Sequence, residues 1–321
     1  MKILVTGGAG FIGSNYVNNL AETDGTWDEI IVLDSLTYAG NLENLEIASN
    51  DKRVKFIHGD IRDVSLVSDL MKEVSTVVHF AAESHVDRSI SNPGEFVSTN
   101  VLGTHVLLNC ALKSEIEKFL HVSTDEVYGS IESGSWTELS PVLPNSPYSA
   151  SKASSDMLAL SYFKTYGLPV MVSRCSNNFG KFQFPEKLIP LAITNLLDDK
   201  PIPIYGNGLN SRDWLHVSDH CRGLDLILEN GCPGQIYNIG GGTEMNNLEL
   251  ANLLIKLLGR SDSYIDFVED RKGHDLRYSV NFEKLKTIGG YTPSKNFQEA
   301  IEETIHWYKT NQSWWRPLKQ K

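Results

Sequence analysis

Apolar residues in this chain fall into short runs of strand character, separated by stretches with helical spacing. Ile3–Val5, Ile30–Asp34, Val54–His58, Thr76–Phe80, Phe119–Ser123 and Val170–Arg174 are the strand-like runs. Between them, Ile12–Leu20, Leu66–Met71, Asn100–Leu112 and Ser149–Tyr166 carry helix-compatible spacing or good helix formers. Strands that are apolar almost throughout, alternating with helices, predict a parallel sheet covered on both faces. After about residue 178 the rhythm changes. Pro185, Pro190, Pro201 and Pro203 interrupt it, followed by Gly206 and Gly208. Gln235–Gly242 reads as a returning strand with a glycine-rich turn, and Leu248–Leu258 and Phe297–Tyr308 as helices. The pattern predicts a first domain over 1–178 with a return at about 213–245. A smaller, mixed domain is expected from 179–212 and 246–321.

Composition narrows the classes. The 321 residues are 41% hydrophobic and 21% charged, enough for a sizeable core and far from a disordered chain. The net charge of −11 gives no general attraction for a phosphate backbone, so nucleic acid is not an expected partner. Cys110, Cys175, Cys221 and Cys232 form no C-x-x-C pair, so neither a disulfide framework nor a metal site is expected. Free thiols suit a reducing compartment. No apolar stretch approaches the ~18 residues of a membrane span, and a soluble, cytoplasmic protein is expected. Trp314 and Trp315 are read as packing against the body.

The opening strand runs into Gly7-Gly8-Ala9-Gly10-Phe11-Ile12-Gly13, where a helix begins. Gly8, Gly10 and Gly13 fit G-x-G-x-x-G; Gly7, Gly10 and Gly13 fit G-x-x-G-x-x-G. A strand, a tight glycine turn and a helix N-terminus bring backbone N–H groups against a pyrophosphate. Asp34 ends the second strand, 21 residues after Gly13, near the ~20 expected for an acid on the adenosine ribose. Its carboxylate would repel a 2′-phosphate, and Ser35-Leu36-Thr37 offers no cation to rescue one. NAD is therefore favoured over NADP, and the fold expected is a Rossmann-type doubly wound sheet.

Tyr148 and Lys152 stand four residues apart behind Pro147, as suits the start of a helix. A lysine ammonium near the phenol would favour phenolate. Such a tyrosine can take a proton from a sugar hydroxyl as hydride leaves the same carbon. Thr124-Asp125-Glu126 follows the fifth strand, at the carboxyl edge where open parallel sheets bind ligands. Adjacent carboxylates can divide acid and base roles if their environments push their pKa values apart. His85 and Asp87 suggest a metal pair, but no third ligand has suitable spacing; Glu83–Arg88 is read as substrate-loop and packing residues.

These motifs resemble those of the extended short-chain dehydrogenases/reductases, and within them the dTDP-glucose 4,6-dehydratase family. The matching stretches are Thr6–Gly13, Asp34–Asn41, Ala81–Ser89, Ser123–Gly129, Tyr148–Lys152, Asn177-Asn178, Pro185–Pro190, Arg212–Trp214 and Asp270–Asp275. The resemblance implies dehydration of dTDP-glucose to the 4-keto-6-deoxy sugar with tightly bound NAD, in deoxysugar biosynthesis. Tyr148, Lys152, Thr124, Asp125 (acid) and Glu126 (base) would be the catalytic residues. Gly7, Gly10, Phe11, Ile12, Gly13, Asp34, Ser35, Leu36, Thr37, Asp60, Ile61, Phe80, Ala81, Ala82, Thr99, Tyr148, Lys152 and Asn178 would meet NAD. Ser84, Thr124, Asn177, Glu186, Lys187, Leu188, Pro203, Ile204, Tyr205, Arg212, Asn247, Arg271 and His274 would meet the nucleotide sugar. A guanidinium such as Arg212 or Arg271 matches a diphosphate bidentately. The resemblance also implies a homodimer joined by first-domain helices. A UDP-hexose 4-epimerase of the same fold is the alternative; it needs Tyr148 and NAD but neither acid.

Overall fold

The structure is a computed structural model and describes residues 1–23 and 25–319. Its strands are β1 (Lys2–Thr6), β2 (Glu29–Asp34), β3 (Val54–His58), β4 (Thr76–His79), β5 (Lys118–Thr124), β6 (Val170–Cys175), β7 (Asn177–Phe179), β8 (Ile202–Tyr205), β9 (Ser211–His216), β10 (Ile236–Ile239), β11 (Glu244–Asn246) and β12 (Ile265–Val268). Seven of them form one parallel sheet in the order β10-β6-β5-β4-β1-β2-β3. The order reverses direction at β1/β4, which opens a crevice beyond the carboxyl ends of those strands.

The apolar runs explain the two covered faces. Side chains alternate along a strand, so Ile3 and Val5 join one buried cluster with Tyr16, Val17 and Leu224. Leu4 joins the other, with Leu33, Leu107 and Phe119. A third cluster lies apart, built on Ile193, Ile202, Trp214, Leu254, Ile301 and Trp315. It belongs to the small sheets β11-β9-β7 and β12-β8 and the helices around them.

Elements expected from the pattern occur close to their predicted bounds, as helices Phe11–Glu22, Val64–Met71, Pro147–Tyr166, Asn247–Leu257 and Phe297–Thr310. The Asn100–Leu112 stretch starts as a wide-turned helix, Val97–Gly103, and continues as the α-helix Thr104–Lys113. Pro190 does not break its segment. It is the third residue of helix Leu188–Leu197, where the first-turn amides have no helical partner to lose. Helix Val217–Asn230 and β10 return the chain to the large sheet, beside β6. β9 and β11, at either end of that return, pair with each other in the small sheet. Trp315 is fully buried, and Trp314 donates from Nε1 to Asn44 Oδ1 at 2.8 Å, tying the C-terminal helix to the loop after β2. No helix among the described residues is long and apolar enough to cross a membrane.

Candidate active site

Two adjoining cavities, of about 300 and 190 Å³, open at the carboxyl edge of the large sheet. The larger begins at the glycine turn. Gly7 adopts φ +70°, and a Cβ there would sit 2.5 Å from Ala81 N. A Cβ on Gly13 would sit 2.2 Å from Gly7 O. Side chains are thus excluded where the turn meets the start of helix Phe11–Glu22, and no side chain among the described residues caps that helix. Its first-turn amides and positive dipole end are left for an anion.

Asp34 is buried at the end of β2. It accepts from Ala9 N at 2.9 Å and from Leu36 N at 2.8 Å, so it braces the glycine turn as well as lining the cavity. Burial raises its pKa, against those two amide bonds. Leu36 departs from its expected place. It does not line the cavity; with φ +49° it turns its amide onto Asp34 instead. The other residues expected at NAD all line this cavity, Thr99 and Asn178 included. Asp60 does so while held bidentately by Arg62, which keeps its carboxyl below the usual range. Tyr38, Arg62 and Phe184 also line the cavity and were not singled out from the sequence. Tyr38 lies within the Asp34–Asn41 motif, but nothing in the local pattern marks the ring as facing inward.

Tyr148 and Lys152 are carried by helix Pro147–Tyr166, whose start is fixed locally. Ser146 Oγ accepts from Ser149 N at 3.1 Å, and Ser149 Oγ accepts from Ser146 N at 3.0 Å, with Pro147 between them. Lys152 is buried and donates to Val122 O on β5 at 2.8 Å. Burial brings its pKa down to about 8. The effect on Tyr148 expected from the spacing is not what the structure gives. Burial, then the Glu126 carboxylate, push the phenol well above its ordinary value, with only the Thr124 hydroxyl working the other way among the principal influences. Lys152 is not among the principal influences on it, so in this state the tyrosine is a neutral phenol.

Thr124, Asp125 and Glu126 turn out of β5 into a short 3-10 turn. Thr124 Oγ1 accepts from Glu126 N at 3.2 Å and lies 3.3 Å from Asp125 Oδ1. Asp125 is buried, and its Oδ2 has no partner among the described residues. Burial, Glu126 and Asp213 raise its pKa well above the carboxylate range. Glu126 is half-buried and lines both cavities. Burial raises it too, but Lys187, Arg212 and Arg271 pull it back. The two acids therefore differ. The environment favours a neutral Asp125 and offers Glu126 three cations to support its charge.

Of the residues expected at the sugar nucleotide, Ser84 and Thr124 line the larger cavity and Asn177, Glu186 and Lys187 line both. Leu188, Pro203, Ile204, Tyr205, Arg212, Asn247, Arg271 and His274 line the smaller one. Arg212 is buried, donates to the carbonyls of Ser211 and Asp275, and lies over the Tyr278 ring. Asn177 Oδ1 is buried without a partner among the described residues. His274 is hydrogen-bonded to Asp270 at 2.7 Å. Asp275 and Tyr278 complete the wall. Tyr278 lies in no motif, and only the fold brings it there. Among the described residues no group of three or more His, Cys, Asp or Glu is arranged to hold a metal ion.

A glycine-cradled helix N-terminus, an acid on β2 and a Tyr–Lys helix beside a second cavity mark a protein of the extended short-chain dehydrogenase/reductase type. The family model described as GDP-mannose 4,6 dehydratase matches residues 4–304. A dTDP-glucose 4,6-dehydratase of Streptomyces antibioticus is 57% identical over 100% of this chain and 96% of its own. The crystal structure of DesIV, a dTDP-glucose 4,6-dehydratase from Streptomyces venezuelae with NAD and dTDP bound, superposes with a TM-score of 0.97. It is 55% identical, over 99% of this chain and 100% of that one. The dTDP-glucose 4,6-dehydratase from Bacillus anthracis, in complex with NAD, has a TM-score of 0.92 and 48% identity over 99% of each chain. The chain belongs to the dTDP-glucose 4,6-dehydratase family.

Proposed function

We propose that this protein is a dTDP-glucose 4,6-dehydratase, an NAD-dependent hydro-lyase that forms dTDP-4-keto-6-deoxyglucose and water. The observation that carries the reading is the Asp125–Glu126 pair, set beside Tyr148 where the two cavities join. The glycine cradle, Asp34 and the lining from Phe80 to Ala82 fit NAD. When bound, NAD supplies the hydride acceptor for C4 and the hydride donor for C6.

The chain's own groups manage the protons. Tyr148 takes the proton of the 4-hydroxyl as its phenolate, a form that the positive charge of bound NAD would favour over the neutral phenol of the unliganded site, and Thr124 hydrogen-bonds the 4-oxygen. Charge on that oxygen is supported by a hydroxyl already oriented by the Glu126 amide. Once C4 is a ketone, the C5 proton is acidic, and Glu126 removes it as general base. Asp125, held neutral by burial and by its acidic neighbour, protonates the departing 6-hydroxyl as water. Glu126 then returns a proton to C5. Lys152 fixes the helix face to β5 through Val122 and would bond the nicotinamide ribose. Arg212, Arg271 and Lys187 suit a diphosphate.

An epimerase of this fold would need Tyr148 and the cofactor but no acid pair after β5. Separate incubations with dTDP-glucose and UDP-glucose, read for 4-keto-6-deoxy product, test the assignment. In the Glu126→Gln variant, product should fall by roughly 10²–10⁴-fold while reduction of bound NAD persists. Near-normal product from that variant would remove Glu126 from its role.

The same reading divides the chain into a cofactor half, 1–178 with the return at about 213–245, and a sugar-nucleotide half, 179–212 with 246–321. It also carries a cytoplasmic location and a homodimer. Leu102 and Met157, exposed apolar side chains on the helices expected to join the subunits, support the dimer.

A further inference from the structure

Asp87 lies in the first turn of the short helix Val86–Ser91 and lines the smaller cavity. Its Oδ2 accepts from Arg271 Nη2 at 2.8 Å and from the Tyr205 hydroxyl at 3.3 Å. Its Oδ1 lies 2.6 Å from Arg271 Nε. Tyr205 ends β8, and Arg271 follows β12, so three segments distant in sequence converge on one carboxylate. The guanidinium also lies 5.0 Å from the centroid of the Tyr205 ring. His85 Nε2, 3.9 Å away, does not supply the opposing charge. Burial and the Lys187 charge push its pKa down to about 3, so it is neutral at pH 7. The other cations of the cavity are held differently: Arg212 and Lys187 donate to backbone carbonyls.

We propose that Asp87 is a positioning residue for the diphosphate of the nucleotide sugar: it anchors Arg271 through Nη2 and leaves Nη1 as a donor to the anion. This rests on the substrate reading above. An arginine on a loop carries considerable rotamer freedom. Held by Asp87 through Nη2, the guanidinium gives up that freedom before the ligand arrives, so less is lost on binding. Asp87 also spends its charge on Arg271, so it adds little repulsion to an incoming diphosphate. Asp87 does not line the cofactor cavity. Its effect should therefore fall on substrate binding and leave the chemical step alone.

Asp87→Asn keeps the shape and removes the charge. In the NAD-loaded protein, KM for dTDP-glucose and Kd for dTDP should both rise about tenfold, the loss of one charge-assisted pair. kcat should stay within about twofold. Asp87→Glu should restore most of the binding. In an Arg271→Ala background, Asp87→Asn should add nothing, because the partner it positions is gone. Binding that is unchanged or tighter in Asp87→Asn would overturn the proposal and make Asp87 a bystander or a competitor. So would a tenfold loss that persists without Arg271, or early melting with loss of NAD, which would mark a folding role. If the unsubstituted protein binds no dTDP, the substrate assignment fails instead; the same cycle run with UDP then tests the Asp87–Arg271 coupling separately.

Discussion

Replacing Lys152 by Met removes a buried ammonium and keeps most of the side-chain volume. In the folded protein Lys152 is 4% exposed, with one hydrogen bond among the described residues, to Val122 O. Burial lowers its pKa from 10.5 to about 8, against a weaker opposing pull from Asp156 and Cys175. At ~1.36 kcal/mol per pKa unit, keeping this lysine protonated inside the fold costs about 3 kcal/mol. The folded pKa lies below the unfolded one, so between about pH 8 and 10.5 the unfolded chain binds more protons, and the lysine's contribution to stability rises with pH. Below pH 8 the full penalty applies.

The assay is urea unfolding of both proteins, stripped of NAD, from pH 7 to 10.5. The stability of the unsubstituted protein minus that of Lys152→Met should climb by about 3 kcal/mol across the window. The lost Val122 bond and the altered surroundings of Asp156 shift the difference by a constant and leave its slope alone. Other titrating groups are common to both proteins and cancel. A difference that stays flat to within about 0.5 kcal/mol would refute the reasoning, because the fold would then not disfavour the lysine's proton.

Two further substitutions test the frame around the site. Asp156→Asn should destabilise by about 3–5 kcal/mol in urea unfolding, since it strips the counter-charge from the buried Arg174, whose Nε donates to Asp156 at 2.8 Å. Burial raises the Asp156 pKa, but His121 and Arg174 together bring it below the usual range. The unsubstituted protein should therefore lose this stability as pH falls through that lowered value, and the variant should lack that acid-side slope. Gly13→Ala would put a Cβ 2.2 Å from Gly7 O, and the turn must shift to admit it. NAD affinity, read by calorimetry, should drop by roughly a hundredfold, and the unfolding midpoint of the NAD-free protein should fall as well because the clash is with backbone; retained affinity would show that the cradle does not depend on close approach.

Much of the site was legible because its parts are local. The glycine turn, Thr124-Asp125-Glu126 and Tyr148-x-x-x-Lys152 are each written within a few residues, and their neighbours in sequence set their geometry. The capping of Ser146 by Ser149 fixes the start of the catalytic helix, and strand β5 must deliver its acids at a carboxyl edge. Apolar alternation along β1 likewise carries both faces of the large sheet.

The rest depends on distance. The pattern locates a returning strand near residue 236, but only pairing puts β10 beside β6. Asp87 meets Arg271 across 184 positions, and Trp314 meets Asn44 across 270. Ionisation was the least legible property. Spacing alone makes Lys152 an activator of Tyr148, whereas burial and Glu126 raise the phenol and Val122 holds the lysine. A pKa follows from desolvation and from every charge nearby, and those are settled only when distant segments pack. The sheet, the cradle and the reacting groups can be read along the chain, because each is a short-range pattern. Which charges face one another and which are shut away from water follows only from packing, because those contacts join residues the chain keeps far apart.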